Sequence, residues 1–520
     1  MSIQTMVDVP VEPAGVPRGR AMVERADWAA RAFARYDAHS VRRIVQAAAD
    51  AGAAHARQFA ADAVAETGFG VAEHKLLKNL ACSSGLVEAY RDTDFVTPRV
   101  RAGERIVEIP RPAGVVLALT PSTNPVATTY FKILACLMTR NAIILSPHPF
   151  AKQVSVAAAR VMCEAAIAAG APDGCIQVVE EPSIPLINAL MTDERIAVIL
   201  ATGGTPMVRA AYRSGNPALG VGPGNVPVLV DSTADLALAA RSIIASKSFD
   251  NSVLCTNESV LIVEEVVADK LIAALKREGG YLASPEETSA LRDLLFEGDH
   301  PTTKWIGRDA AVIAQAAGIR VPPKTKVLIA PFDLVVPEEM LAHEKLFPVL
   351  GMVRVVSASR GIDAAKAVLR ITGAGHSAAI HSQNAQTVMD YAAAVRVLRV
   401  SVNVGSSLGS SGIETNLAPT MTIGTGFFGR SSLGENLEPK HLVNIARIAY
   451  NADSSVPMPS FEGLDPWSSP SGPVPAYPVA SNINEPASVT RRDPIAPEPD
   501  ELREEIRRLV IEELRQIIKG

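Results

Sequence analysis

Short apolar runs alternate with helix-length segments from about residue 113 to residue 405, and this alternation constrains the fold more than any other feature. VVLAL (115–119) is followed by a helix near 125–139, AIILS (142–146) by one near 151–169, and RIAVIL (195–200) by one near 205–213. NVPVLVDS (225–232) leads to another helix and then to SFDNSVLCTNESVLIVEE. Strands joined by helices pair in parallel and need cover on both faces, so an α/β fold is expected. Residues 20–92 read as helices, with apolar residues at three- and four-residue steps. RIVEIPRPAGVVLAL reads as strand, Pro-broken turn, strand, and HLVNIARIAY (441–450) as a further strand.

Composition narrows the function classes. Apolar residues make up 48% of 520, and the net charge is −5, enough for a large core and too balanced for a nucleic-acid or acidic-membrane surface. No run of 18 apolar residues occurs, and the N-terminus lacks the order of a secretory signal. Five cysteines without CxxC spacing and nine histidines without HExxH argue against a disulfide framework or a metal site. The expectation is a cytoplasmic enzyme with reduced thiols and no metal.

The composition breaks near residue 453. Residues 456–499 hold 11 of the 37 prolines, and a segment of this kind reads as a flexible linker over 453–499. It ends in DELREEIRRLVIEELRQIIKG. Asp500 is a good N-cap, and Leu502, Ile506, Leu509, Val510, Leu514, Ile517 and Ile518 form one stripe at helical spacing. The amphipathic helix 500–520 either packs back on its own domain or docks on another protein, and the long tether favours docking.

Three segments can carry chemistry. Cys255 sits in the polar loop of FDNSVLCTNES, where a thiol can ionise and attack, or is an inert buried thiol like Cys136, Cys163 and Cys175. ALTPSTNP follows a strand, so Thr120, Ser122, Thr123 and Asn124 can donate to an oxyanion or simply cap a helix. Gly203-Gly204 lies between a strand and a helix opening at Thr205, a place where backbone can approach a phosphate.

TPSTNP, the strand–Gly–helix unit, GVGPGNVPVLVD, FDNSVLCTNES, HEKLFPVLGM and PTMTIGTG with PKHLVNIARIA occur in this order. Together they resemble the CoA-acylating (acetaldehyde-type) branch of the aldehyde dehydrogenase superfamily, including its microcompartment relatives, over about residues 20–452. The resemblance implies an α/β aldehyde dehydrogenase fold. A Rossmann-like cofactor domain would span 20–227, completed by about 405–430. A catalytic domain would span 228–404. A β oligomerisation arm would use strands near 103–110 and 431–452, and dimers or tetramers are implied.

The resemblance makes Cys255 the nucleophile that turns a short-chain aldehyde into a thioacyl-enzyme for transfer to coenzyme A. Asn124 is implied as oxyanion donor, with Thr123, one residue away in the alignment, as a second candidate for that role. His376 is implied as an acid–base or CoA-orienting residue or a structural one. NAD is implied at Gly203, Gly204, Thr205 and Glu344, with Ser146-Pro147 where many relatives carry a lysine for the adenine ribose. NAD over NADP is a family expectation. Hydrolytic relatives place a glutamate where this chain has Val221 or Gly222, and no carboxylate occurs between Arg213 and Asp231. Acyl-CoA is therefore the expected product over free acid. The aldehyde (acetaldehyde, propionaldehyde or a substituted one) and the direction stay open. Residues 500–520 would be an encapsulation peptide that binds shell or co-cargo protein, placing the enzyme in a bacterial microcompartment lumen.

Overall fold

The computed structural model describes residues 12–298 and 300–478. Its first sheet runs Ile176–Val178, Ala142–Pro147, Val115–Thr120, Ile196–Thr202, Ala218–Val221 from edge to edge. Every pairing is parallel, and strand order reverses at Val115–Thr120. Both Val115–Thr120 and Ala142–Pro147 are buried at all six positions, as strands covered on both faces must be. The helix Pro125–Met138 is buried along its whole length. Phe131, Ile133 and Leu134 share one core with Val41 and Ile44 of the N-terminal helices.

The second sheet runs Gly280–Leu282, Val327–Pro331, Val349–Val355, Glu258–Glu264, Val226–Val230, Gly375–His381, Val397–Val402, again all parallel. Side-chain alternation divides it between two cores. Leu229, Val260 and Ile262 enter one, while Val228, Val230, Leu261 and Val263 enter the other. Arg99–Arg101, Ile106–Pro112 and Val443–Ala449 form a separate antiparallel sheet. The segment after Gly409 returns to the first sheet, where Ser431 Oγ donates to Gly220 O at 2.7 Å.

Two boundaries differ from expectation. The first helix begins at Val16, and Val226–Val230 already belongs to the second sheet, so the chain crosses between sheets at 222–225. The larger difference lies in the Pro-rich segment, expected to be a free tether from 453. Trp467 donates from Nε1 to Val96 O at 3.0 Å and lies under the Arg140 guanidinium at 4.3 Å. Ser468 N donates to Arg35 O. Tyr477 packs edge-on against Trp28 and donates to Glu24 at 3.0 Å. Aromatic and hydrogen-bond anchors thus hold residues 467–477 to the body against the Pro/Ser bias. Residues 479–499 and the helix expected over 500–520 lie outside the described residues. Among the described residues, no helix is long and apolar enough to cross a membrane.

Candidate active site

The carboxyl ends of the first sheet and the amino ends of the second converge on one region. Cys255 stands in the turn before Glu258–Glu264, directly after a 3-10 turn at Phe249–Ser252. Three consecutive non-glycine residues there, Asp250, Asn251 and Ser252, have φ of 51°, 50° and 67°. Each left-handed residue costs about 1–2 kcal/mol, so the turn must be held by its surroundings. Asn251 Nδ2 donates to Gly307 O at 3.0 Å and to Asp309 Oδ1 at 2.8 Å. Asn257 Oδ1 accepts from Leu254 N at 2.9 Å. Thr256 Oγ1 donates to Ser407 O at 2.9 Å, and Glu258 Oε1 accepts from Ser406 N at 2.7 Å.

The thiol is half-buried, and it is pushed up to about 12, first by desolvation and then by the Glu344 carboxylate. Its own main-chain N–H and the charges of Arg399 and Lys78 pull it down without reversing that. The polar loop leaves open whether this thiol ionises or is inert, and desolvation opposes its ionisation in the protein alone. Glu344 Oε1 accepts from Gly224 N at 3.0 Å, and burial raises its carboxyl to about 7. A Cβ at Gly224 would lie 1.9 Å from Cys255 O, so only glycine lets the crossing segment lie on the cysteine turn.

Asn124 stands at the N-cap of the helix Pro125–Met138. Its Nδ2 donates to Thr123 Oγ1 at 3.2 Å, and its Oδ1 accepts from Lys78 Nζ. His376 opens the strand beside Val226–Val230 and is fully buried. Its Nδ1 faces Ser377 Oγ at 3.2 Å, and Nε2 has no partner among the described residues. Burial and Arg399 push the imidazole down to about 3, so it is neutral. Arg399 donates from Nε to His376 O at 3.1 Å.

On the first sheet, Gly204 is the N-cap of the helix Thr205–Arg213. Nothing lies within 4 Å of a Cβ built on Gly203. Ser146 and Pro147 end the strand Ala142–Pro147, two strands away across Val115–Thr120, with Pro147 in register with Thr120. Open space at a glycine and unpaired N–H groups at a helix start suit a dinucleotide pyrophosphate. Val221 is buried at the end of its strand. Asp231 lies at the opposite end of Val226–Val230, committed to Thr233 at 2.7 Å and to Ser382.

Cys255, Glu344, Asn124 and Thr123 are thus joined through Gly224, Lys78 and the cysteine turn, while Gly203–Thr205 and Ser146-Pro147 form the first sheet's edge. Sequence reasoning missed Lys75, Lys78, Asp250, Glu258 and Arg399. One signal was available for the lysines. In HKLLKNLA the helical register that buries Lys75 and Lys78 leaves Leu77 and Leu80 outside.

The aldehyde dehydrogenase family model matches residues 10–283. The chain is 39% identical over 442 residues to the bifunctional aldehyde–alcohol dehydrogenase of Escherichia coli K12, covering 84% of this chain and 49% of that protein. It therefore spans about half the length of these curated relatives. It is 36% identical to the succinate-semialdehyde dehydrogenase (acetylating) of Clostridium kluyveri, covering 84% and 96%. An acetylating aldehyde dehydrogenase from Geobacillus thermoglucosidasius superposes with a TM-score of 0.83 at 36% identity, covering 86% and 98%. A propionaldehyde dehydrogenase from the Clostridium phytofermentans fucose utilisation microcompartment gives 0.77 at 28%, covering 83% and 97%.

Proposed function

This chain belongs to the acylating branch of the aldehyde dehydrogenase family, and from that premise we propose that it converts a short-chain aldehyde, NAD and coenzyme A into acyl-CoA and NADH. The carrying observation is the surroundings of Cys255: a thiol on a held turn, tied through Asp250 and Lys78 to the Asn124 carboxamide, with no carboxylate at 214–230, the stretch that contains the crossing. Cys255, once ionised, adds to the aldehyde carbon, and the former carbonyl oxygen takes the negative charge. Asn124 Nδ2, with Thr123 beside it, donates to that oxygen. NAD, when bound, would supply the hydride acceptor, and coenzyme A the thiol that would take the acyl group from Cys255 as the Cys255 thioester bond breaks. His376 stays neutral, its imidazole held down to about 3, so its unpartnered Nε2 serves to orient CoA by a hydrogen bond and not to take a proton. Gly203, Gly204 and Thr205 hold the pyrophosphate, Ser146 and Pro147 border the adenosine, and Glu344 holds the nicotinamide ribose.

One observation favours a second reading, hydrolysis to the free acid. Glu344 is close enough to raise the Cys255 thiol, and its own carboxyl titrates at about 7, as a water-activating base should. NADH formation from a short-aldehyde panel, with and without CoA, separates the two. Strict CoA dependence with acyl-CoA identified by mass supports acylation; acid at equal rate without CoA supports hydrolysis.

The sheet Arg99–Arg101, Ile106–Pro112, Val443–Ala449 serves as the arm of a homodimer or homotetramer in this reading. Residues 500–520 serve as an encapsulation peptide for microcompartment shell or co-cargo protein. Their apolar stripe and the microcompartment origin of one similar structure support this. Deletion of 500–520 should leave turnover intact and abolish co-purification with shells; persistence of co-purification refutes the assignment.

A further inference from the structure

The helix Ala72–Ala81 is packed inside out. It buries Lys75 and Lys78 at 3% and 1% exposure while Leu77 stands 55% exposed and Leu80 36%. Burying ammonium groups and exposing leucines opposes the hydrophobic effect twice over. An arrangement so costly is retained where the charges have a task.

Both lysines point to one carboxylate. Lys75 Nζ donates to Asp250 Oδ2 at 3.0 Å and to Thr123 O at 3.1 Å. Lys78 Nζ donates to the same Oδ2 and to Asn124 Oδ1. Asp250 Oδ1 accepts from Val71 N at 2.7 Å, so both carboxylate oxygens are engaged. Asp250 is also the first of the three left-handed residues that lead to Cys255. One buried assembly therefore touches the carboxamide on the first sheet's edge and the cysteine turn on the second. Two buried ammonium groups share one buried carboxylate, which leaves an excess of positive charge there. An ammonium can only donate, so its contact with Oδ1 fixes which way the Asn124 amide faces.

We propose that Lys78 is a positioning residue of this site: it orients the Asn124 carboxamide for donation from Nδ2 and supplies the positive charge that the Cys255 thiolate, then the oxyanion, neutralises. This rests on the roles given above to Cys255 and Asn124. The groups facing Lys78 are Asp250, Lys75, His74, Cys82 and Cys255, with the Phe249 ring 6.0 Å away. Although Asp250 raises it, burial and Lys75 draw the Lys78 ammonium down to about 8; a thiolate formed nearby raises it again.

The test compares Lys78→Met and Lys78→Arg with the full-length enzyme by two readouts, kcat and the pH dependence of Cys255 alkylation by iodoacetamide. Lys78→Met should lower kcat roughly 10²-fold with little change in aldehyde KM and move the alkylation profile to higher pH. Lys78→Arg, which keeps charge and donors, should recover part of both. A folded Lys78→Met enzyme with an unmoved alkylation profile, or a Lys78→Arg enzyme displaced as far as Lys78→Met, overturns the proposal. If Lys78→Met does not fold, Lys78→Arg decides alone: a kcat and profile nearer wild type than Asn124→Ala support the proposal, and any others overturn it. Cys255→Ala with full turnover would instead refute the reading beneath it.

Discussion

The two sheet edges that meet at Cys255 are built differently. The first sheet's edge offers glycines, hydroxyls and a helix start: Gly203, Gly204, Thr205, Ser146 and Thr120. The second sheet's edge holds buried ionisable groups, Glu258, Arg399 and His376, with Glu344 half-buried beside them. Backbone donors and small residues bind a large ligand at low cost and tolerate small changes. Buried charges tune reactivity, and each depends on its partners. In the proposed reading binding falls mainly on the first edge and chemistry mainly on the second, with Asn124 and Glu344 as the two groups that cross that division, and substitutions should separate them.

The largest effect should come from Cys255→Ala, which removes the proposed acyl carrier. Turnover should fall by at least about 10³-fold while NAD binding, followed by fluorescence titration, is kept. Loss of both together would break the division between the edges. Asn124→Ala comes next, with kcat expected to fall roughly 10²–10³-fold and aldehyde KM nearly unchanged.

Glu344→Gln sharpens the contrast through pH. The Glu344 charge raises the Cys255 thiol, so neutralising it should let the thiol ionise at lower pH and speed alkylation, roughly tenfold for each pH unit by which the titration midpoint falls. Below pH 7 Glu344 is already protonated, given its value of about 7, and wild type and variant should coincide. They should diverge as the pH rises through 7. An alkylation rate indifferent to Glu344→Gln at about pH 9, well above the Glu344 midpoint, would show that this carboxylate does not govern the cysteine.

The first edge was readable from sequence because its signals are local. Strand Ile196–Thr202, Gly203-Gly204 and helix Thr205–Arg213 follow one another without interruption. The second edge was readable only at Cys255, Glu344 and His376, through resemblance. Asp250 meets Lys75 and Lys78 across more than 170 positions of chain, and no periodicity reports such a pairing. In the tail, prolines and serines suggested a free linker, while Trp467 and Tyr477 were the contrary signals. Two aromatic residues with good partners outweigh a local bias that only reflects what the chain would do unpacked.

That strap gives the smallest and cleanest prediction, since it touches neither edge. Trp467→Ala removes a guanidinium–indole contact and one hydrogen bond, together about 2 kcal/mol. Arg140 would then be left with its main-chain bonds to Ala34, Tyr36 and Pro110, which hold it in place, so kcat should not change. The segment 461–477 should instead become sensitive to limited proteolysis, and the melting temperature should drop by a few degrees. A fall in kcat would mean that the strap reaches the site through Arg140 and the strand Ile106–Pro112, and that the tail is part of the catalytic body and not merely fastened to it.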